Sequence, residues 1–212
     1  RQEGPGMTRI LVIGKYGQVA GALGAAGRAD LTCLSREEAN LCNVASLRAA
    51  VEAHRPQVVI NAGGFTKVDA AESEPEVARV LNAEGPAHLA SICAGQGAVL
   101  VHLSTDCVFD GTKTSPYTRD DDPNPLSVYG RTKLDGELAV RAAAPEASIV
   151  VRVCWVFSHF AHNFVHTMLT LARTRDTVTV VRDQFGYPSY APGLAEGLIR
   201  IADRVAEPGF RD

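Results

Sequence analysis

The chain has 212 residues, more than one typical domain of about 100–150, and carries 21 Lys+Arg against 24 Asp+Glu for a net charge of −3 at pH 7. That balance offers no basic surplus for a nucleic-acid backbone, and 46% hydrophobic with 21% charged residues excludes disordered, collagen-like and coiled-coil classes. No apolar run approaches the roughly 18–20 residues of a membrane span, so no membrane partner is expected.

Residues 1–6, Arg-Gln-Glu-Gly-Pro-Gly, lack the apolar core of a signal peptide and read as a tag or leader before Met7. From Arg9 to Ile13 a continuous apolar run predicts a strand buried on both faces. A glycine turn follows, then an Ala-rich helix over Gly17–Gly27, a strand over Leu31–Leu34, and a helix over Val44–His54 with Asn43 as its cap. Val58–Ile60 predicts a third strand. Ser73-x-x-Glu76 has capping-box spacing and predicts one long helix to about Ala94. Ala98–Leu103 predicts a strand, Ser104–Asn124 a polar loop, Pro125–Ala142 a helix and Ser148–Val153 a strand. Asn163–Arg173 reads as a helix, Thr177–Val181 as a strand and Pro192–Val205 as a last helix. Strands alternating with helices predict a Rossmann-type, doubly wound parallel α/β sheet with helices on both faces. Residues 7–212 form one domain, without repeats or linkers. Five separated cysteines, none in a C-x-x-C pair, predict reduced thiols and a cytoplasmic setting rather than a disulfide framework or a zinc site.

Gly14-Lys15-Tyr16-Gly17-Gln18-Val19-Ala20 stands where a dinucleotide's phosphates bind, directly after the first strand and opening the first helix. Small residues allow a sharp turn that brings backbone N–H groups and the positive helix end against a pyrophosphate. The second strand ends in Leu34-Ser35-Arg36, with no carboxylate at Ser35 for a ribose 2′-hydroxyl and a guanidinium at Arg36 suited to a 2′-phosphate. That favours NADPH over NADH, although Glu37 and Glu38 blunt the positive field. The fourth strand runs into Ser104, Thr105 and Asp106, at the C-terminal strand end where chemistry is expected in such sheets. Tyr129 and Lys133 lie i, i+4 on one helix face. A phenol of reference pKa about 10 is a poor acid at neutral pH, and a nearby ammonium favours its ionised form.

These segments carry a resemblance. The turn Gly14–Ala20, Asn61-Ala62-Gly63-Gly64-Phe65-Thr66-Lys67-Val68-Asp69-Ala70-Ala71-Glu72, Ser104-Thr105-Asp106-Cys107-Val108-Phe109-Asp110-Gly111, Tyr129-Gly130-Arg131-Thr132-Lys133, Trp155-Val156-Phe157 and Asp183-Gln184-Phe185-Gly186-Tyr187-Pro188 resemble, in order and spacing, the dTDP-4-dehydrorhamnose reductase family of extended short-chain dehydrogenases/reductases. The resemblance implies reduction of the C4 ketone of a nucleotide-sugar, with Tyr129 delivering the proton, Lys133 holding the nicotinamide ribose and Thr105 bonding the carbonyl. It also implies that Gly14, Gly17, Gln18 and Val19 line the pyrophosphate, that Ser35 and Arg36 lie at the adenosine ribose, and that Asn40 and Leu41 lie near adenine. Gly64, Phe65, Thr66 and Leu103 would border the rest of the cofactor, and Val68, Asp69, Asp106 and Trp155 would face the sugar. A homodimer is the assembly it allows.

The chain departs from the family at Cys107, where a tyrosine is usual, and at Asn40, where an aspartate is usual. The resemblance implies that the family's C-terminal substrate lobe begins about where Asp212 ends, and substrate-side segments are expected around residues 157–190. An epimerase, or a cofactor-binding regulatory homologue without catalysis, stands as the alternative. His159, His162 and His166 are read as loop residues rather than metal ligands, Asp120–Asp122 as a solvated loop, and His102 as a hydrogen-bonded core residue.

Overall fold

In the computed structural model, residues 8–207 are described, and the leader read at residues 1–6 lies outside them. Five parallel strands make the sheet: β1 (Ile10–Ile13), β2 (Leu31–Leu34), β3 (Val58–Asn61), β4 (Val99–Thr105) and β5 (Ser148–Val153), in the order β2-β1-β3-β4-β5. The order reverses between β1 and β3, which opens a crevice beyond their C-terminal ends. The unbroken apolar run of β1 has a physical reason. Leu11 and Ile13 pack on one face with Leu47, Val51, Leu89 and Val140, while Ile10 and Val12 pack on the other with Val19, Leu23 and Leu198.

The first-face helices are α2 (Val44–His54), α5 (Gly85–Gly95) and α6 (Val128–Ala143); α1 (Gln18–Ala25) and α8 (Ala191–Val205) cover the second. Asn43 caps α2 as expected, accepting from Ser46 N–H at 3.1 Å. Arg28, in the turn between α1 and β2, reaches α8, its Nη1 lying 2.7 Å from Asp203.

Five expectations fail locally. The helix predicted from Ser73 to Ala94 is broken into α3 (Val68–Ser73), α4 (Pro75–Arg79), a π-helical stretch Val80–Glu84 and α5. Pro75 disfavours helical geometry at the residue before it, and Glu74 leaves the helix at φ −125°, ψ 49°. The capping box does not form; Ser73 Oγ donates instead to Ala70 O at 3.0 Å. The strand predicted at Thr177–Val181 is irregular chain, while β6 (Val156–Phe157) pairs with β7 (Ser189–Tyr190). The helix predicted from Pro125 starts at Val128, because Ser127 caps it by accepting from Gly130 N–H at 3.0 Å. Asp121 is not simply solvated: its carboxylate meets Lys113 Nζ at 2.6 Å. No described helix is long and apolar enough to cross a membrane.

Candidate active site

The glycine turn fills the switch-point crevice. Gly14 adopts φ +113°, and a Cβ there would stand 3.0 Å from Gly63 N and 3.1 Å from Ala62 C. The turns after β1 and β3 therefore touch through backbone alone, and the first N–H groups of α1 face outward with no intrahelical partner. Such a cradle fits a pyrophosphate. Gly14→Ala is expected to lower stability by about 1–3 kcal/mol through left-handed strain and to weaken dinucleotide binding, read by thermal unfolding and a nicotinamide fluorescence titration.

Around the cradle the predicted residues sort unequally. Arg36 is exposed just past β2, whereas Ser35 is buried and its N–H donates to Glu38 Oε2 at 2.8 Å. Glu38 also lies 3.9 Å from Lys15 Nζ, a cation of the turn that sequence reasoning passed over. Asn40 uses its Oδ1 within its own turn, accepting from Cys42 N–H at 2.9 Å. Leu41 packs under the cradle, 3.1 Å from where a Gly63 Cβ would lie. Thr66 is exposed, and Val68 and Asp69 open α3 at the surface. The Gln18 side chain turns away from the cradle to Val156 O, 2.8 Å from its Nε2.

Thr105, at the C-terminal end of β4, donates from Oγ1 to Asp106 Oδ1 at 3.1 Å and accepts from Cys107 N–H at 3.2 Å. Contrary to the lowering expected from the Lys133 ammonium, the Tyr129 phenol is pushed up to about 12 by burial, with the Thr105 hydroxyl drawing it back. Lys133 is buried, and its Nζ donates to Leu103 O at 2.6 Å. Burial lowers its pKa to about 8, opposed by the Glu137 carboxylate one turn on. Glu137 is itself buried and paired with Arg152, 2.6 Å away. The helix carrying this pair sits low: a Cβ at Gly130 would fall 2.2 Å from Cys107 O, and one at Gly136 would fall 2.0 Å from Asn82 O.

Asn82, in the π-helical stretch, was not read from sequence. It is fully buried, with Oδ1 accepting from Phe65 N–H at 2.8 Å and Nδ2 donating to Phe65 O and Thr132 Oγ1, each at 3.1 Å. One amide thus joins the Gly64–Thr66 loop to the tyrosine helix. Glu72, the last residue of the Asn61–Glu72 segment, does similar service by accepting from Val128 N–H at 2.8 Å. His102 is the core residue expected. Gly63 N–H donates to Asn61 Oδ1 at 3.1 Å, which orients the amide, so Asn61 Nδ2 donates to His102 Nδ1 at 3.1 Å and the imidazole proton sits on Nε2. Burial and the Lys133 ammonium hold that imidazole well below its ordinary pKa.

Beyond β5 the chain rises into left-handed backbone at Trp155, φ +41°, an uncommon conformation for a bulky residue. Its indole is half exposed, and Gly186 lies against it, since a Cβ there would meet Trp155 Cε2 at 2.9 Å. The Asp183–Pro188 motif therefore supports Trp155 from below. Cys154 Sγ donates to Asp106 Oδ2 at 2.7 Å, and burial pushes its thiol up to about 12. Among the histidines, His162 Nε2 lies 3.0 Å from Thr167 Oγ1 and His159 packs on the Phe160 ring. Among the described residues no three His, Cys, Asp or Glu side chains group as metal ligands.

A dinucleotide cradle one crossover away from a phenol and an ammonium on a single helix face places the chain among the NAD(P)-dependent oxidoreductases of the short-chain class. Comparison with known proteins narrows this. The family model described as the RmlD substrate binding domain matches residues 7–210. The dTDP-4-dehydrorhamnose reductase of Sinorhizobium fredii is 41% identical over 206 residues, covering 96% of this chain and 69% of that protein. The Streptomyces griseus enzyme of the same name is 43% identical over 193 residues, covering 86% and 64% respectively. The crystal structure of Bacillus anthracis dTDP-4-dehydrorhamnose reductase in complex with NADP superposes with a TM-score of 0.89 at 31% identity, over 92% of this chain and 70% of that one. The chain belongs to the dTDP-4-dehydrorhamnose reductase family, and it spans about two thirds of the length of the relatives it matches.

Proposed function

We propose that this chain reduces the C4 ketone of dTDP-4-dehydro-L-rhamnose, or of a close nucleotide-sugar, to the alcohol, with NADPH as the preferred hydride donor. The observation that carries the reading is the half-buried Tyr129 phenol, its pKa pushed up by burial, next to Thr105 at the end of β4 and four residues before the buried Lys133 on the same helix. Bound nicotinamide supplies the hydride; the remaining work falls to the chain's own groups. As hydride reaches C4, negative charge develops on the carbonyl oxygen, and a phenol that stays protonated at neutral pH is the group able to quench it by proton transfer. The Thr105 hydroxyl, whose Oγ1 is kept in place by the Cys107 N–H, reaches the same oxygen by turning its single proton from Asp106 Oδ1 to the carbonyl. Lys133 holds the nicotinamide ribose. The cradle at Gly14, Gly17 and Val19 takes the pyrophosphate, the loop Gly64–Thr66 borders the nicotinamide half, and Asp69, Asp106 and Trp155 meet the sugar nucleotide.

The test is consumption of NADPH on adding dTDP-4-dehydro-L-rhamnose, with the rhamnose product identified by NMR and dTDP-glucose, which has no ketone, as control. Absence of turnover with the keto sugar would overturn the reading. NADPH preference is supported by the exposed Arg36 at the β2 end and by the NADP bound to the Bacillus anthracis relative. Arg36→Ala is expected to reduce the NADPH over NADH preference about tenfold, a change of about 1.4 kcal/mol, measured as the ratio of kcat/KM values.

A further inference from the structure

By position Gln18 belongs to the glycine turn, yet its side chain serves a different part of the molecule. Nε2 donates to Val156 O at 2.8 Å, while Oε1 accepts from Ser158 Oγ and from Asn163 Nδ2, each at 3.1 Å. These partners all follow Trp155 in the chain. Asn163 extends the network, its Nδ2 also donating to Ser158 O at 2.6 Å and its Oδ1 accepting from His166 N–H at 3.2 Å, which caps α7 (Phe164–Ala172). Ser158 and Asn163 are both buried. Phe160, between them, lies against α1 where a Cβ on Gly21 would come within 2.9 Å of its own Cβ.

A primary amide donates and accepts from one end, and here it satisfies a carbonyl and two donors at once. Its own backbone N–H, at the first helical position, remains free for phosphate. Backbone and side chain therefore face two different sites. We propose that Gln18 is a positioning residue for the sugar side: through Val156, Ser158 and Asn163 it fixes the segment that carries Trp155 and starts α7. A substitution within the cofactor motif then harms sugar binding and spares cofactor binding. This inference rests on the reading of Trp155 as a sugar contact.

The experiment compares wild type with Gln18→Met, of similar length but without an amide, and Ser158→Ala, which removes one of the three bonds. NADPH affinity is read from its fluorescence without sugar, Trp155 emission without either ligand, and KM and kcat with the keto sugar. Expected for Gln18→Met are an NADPH Kd within about threefold of wild type, a sugar KM raised about tenfold as one or two neutral hydrogen bonds are lost, a smaller change in kcat, and emission shifted to the red. Ser158→Ala moves the same way by a smaller step, and thermal unfolding verifies that both variants fold. Unchanged emission and KM in folded Gln18→Met would overturn the proposal, as would an NADPH Kd weakened as much as the sugar KM. Lack of turnover by wild type would instead defeat the functional reading, and Trp155 emission would still decide the role of Gln18.

Discussion

Tyr129→Phe is expected to slow ketone reduction about 10²–10⁴-fold, the usual scale of a lost general acid, with NADPH affinity unchanged within about threefold. The phenol lies on α6 next to Thr105, whereas the cradle lies across the crevice at Gly14 and Gly63, so cofactor binding survives the loss of one hydroxyl. Burial sets the direction of the proton transfer. With its pKa pushed up to about 12, Tyr129 carries its proton throughout the neutral range and is matched to donate it to a developing alkoxide. Single-turnover NADPH oxidation isolates this step from product release. Equal rates in the two proteins would remove Tyr129 from the chemistry.

Lys133→Met is expected to abolish turnover while making the protein more stable at neutral pH. Burial holds the folded pKa at about 8, against an ordinary lysine value of 10.5, so the unfolded chain is the better proton acceptor. Below about pH 8 both states are protonated and the fold bears the whole penalty, about 3 kcal/mol for a shift of this size. Between about pH 8 and 10.5 the folded protein sheds the proton first, and wild-type stability rises with pH. The methionine variant has no such slope. Denaturant unfolding at pH 7 and at pH 10 should show a large stability advantage for Lys133→Met that fades at the higher pH. A variant less stable than wild type at pH 7 would show that the bond from Nζ to Leu103 O outweighs desolvation. The ammonium is retained, on this view, because function needs it in a place where the fold does not.

What could be read from the sequence follows the reach of the signals involved. β2, α2 and β5 start and stop at the residues expected, because each is marked by a local apolar run and, for α2, a capping side chain. The glycine turn and the Tyr129–Lys133 pair were legible because their chemistry is written at short spacing. Thr177–Val181 has the composition of a strand, but strands exist only by pairing, and Val180 and Val181 lie exposed without a neighbouring strand. The contacts of Asn82, Glu72 and Gln18 join residues 17 to 145 positions apart, and nothing local announces them. The left-handed Trp155 is likewise set by what packs against it. Gly186 was seen as part of a motif, but its purpose, leaving room for an indole, emerges only in three dimensions.

The two glycines on the inner side of α6 bear on how this enzyme can be modified. With backbone resting on backbone at Gly130 and Gly136, the helix has no side-chain layer on which to slide, so Tyr129 and Lys133 keep their height above the sheet edge. Its outer side is a different matter, for Arg131, Asp135 and Leu138 are exposed. Dyes, tethers or immobilisation chemistry attached at these three positions would ride on a rigid mount, leaving the reacting distances on the inner side as they were.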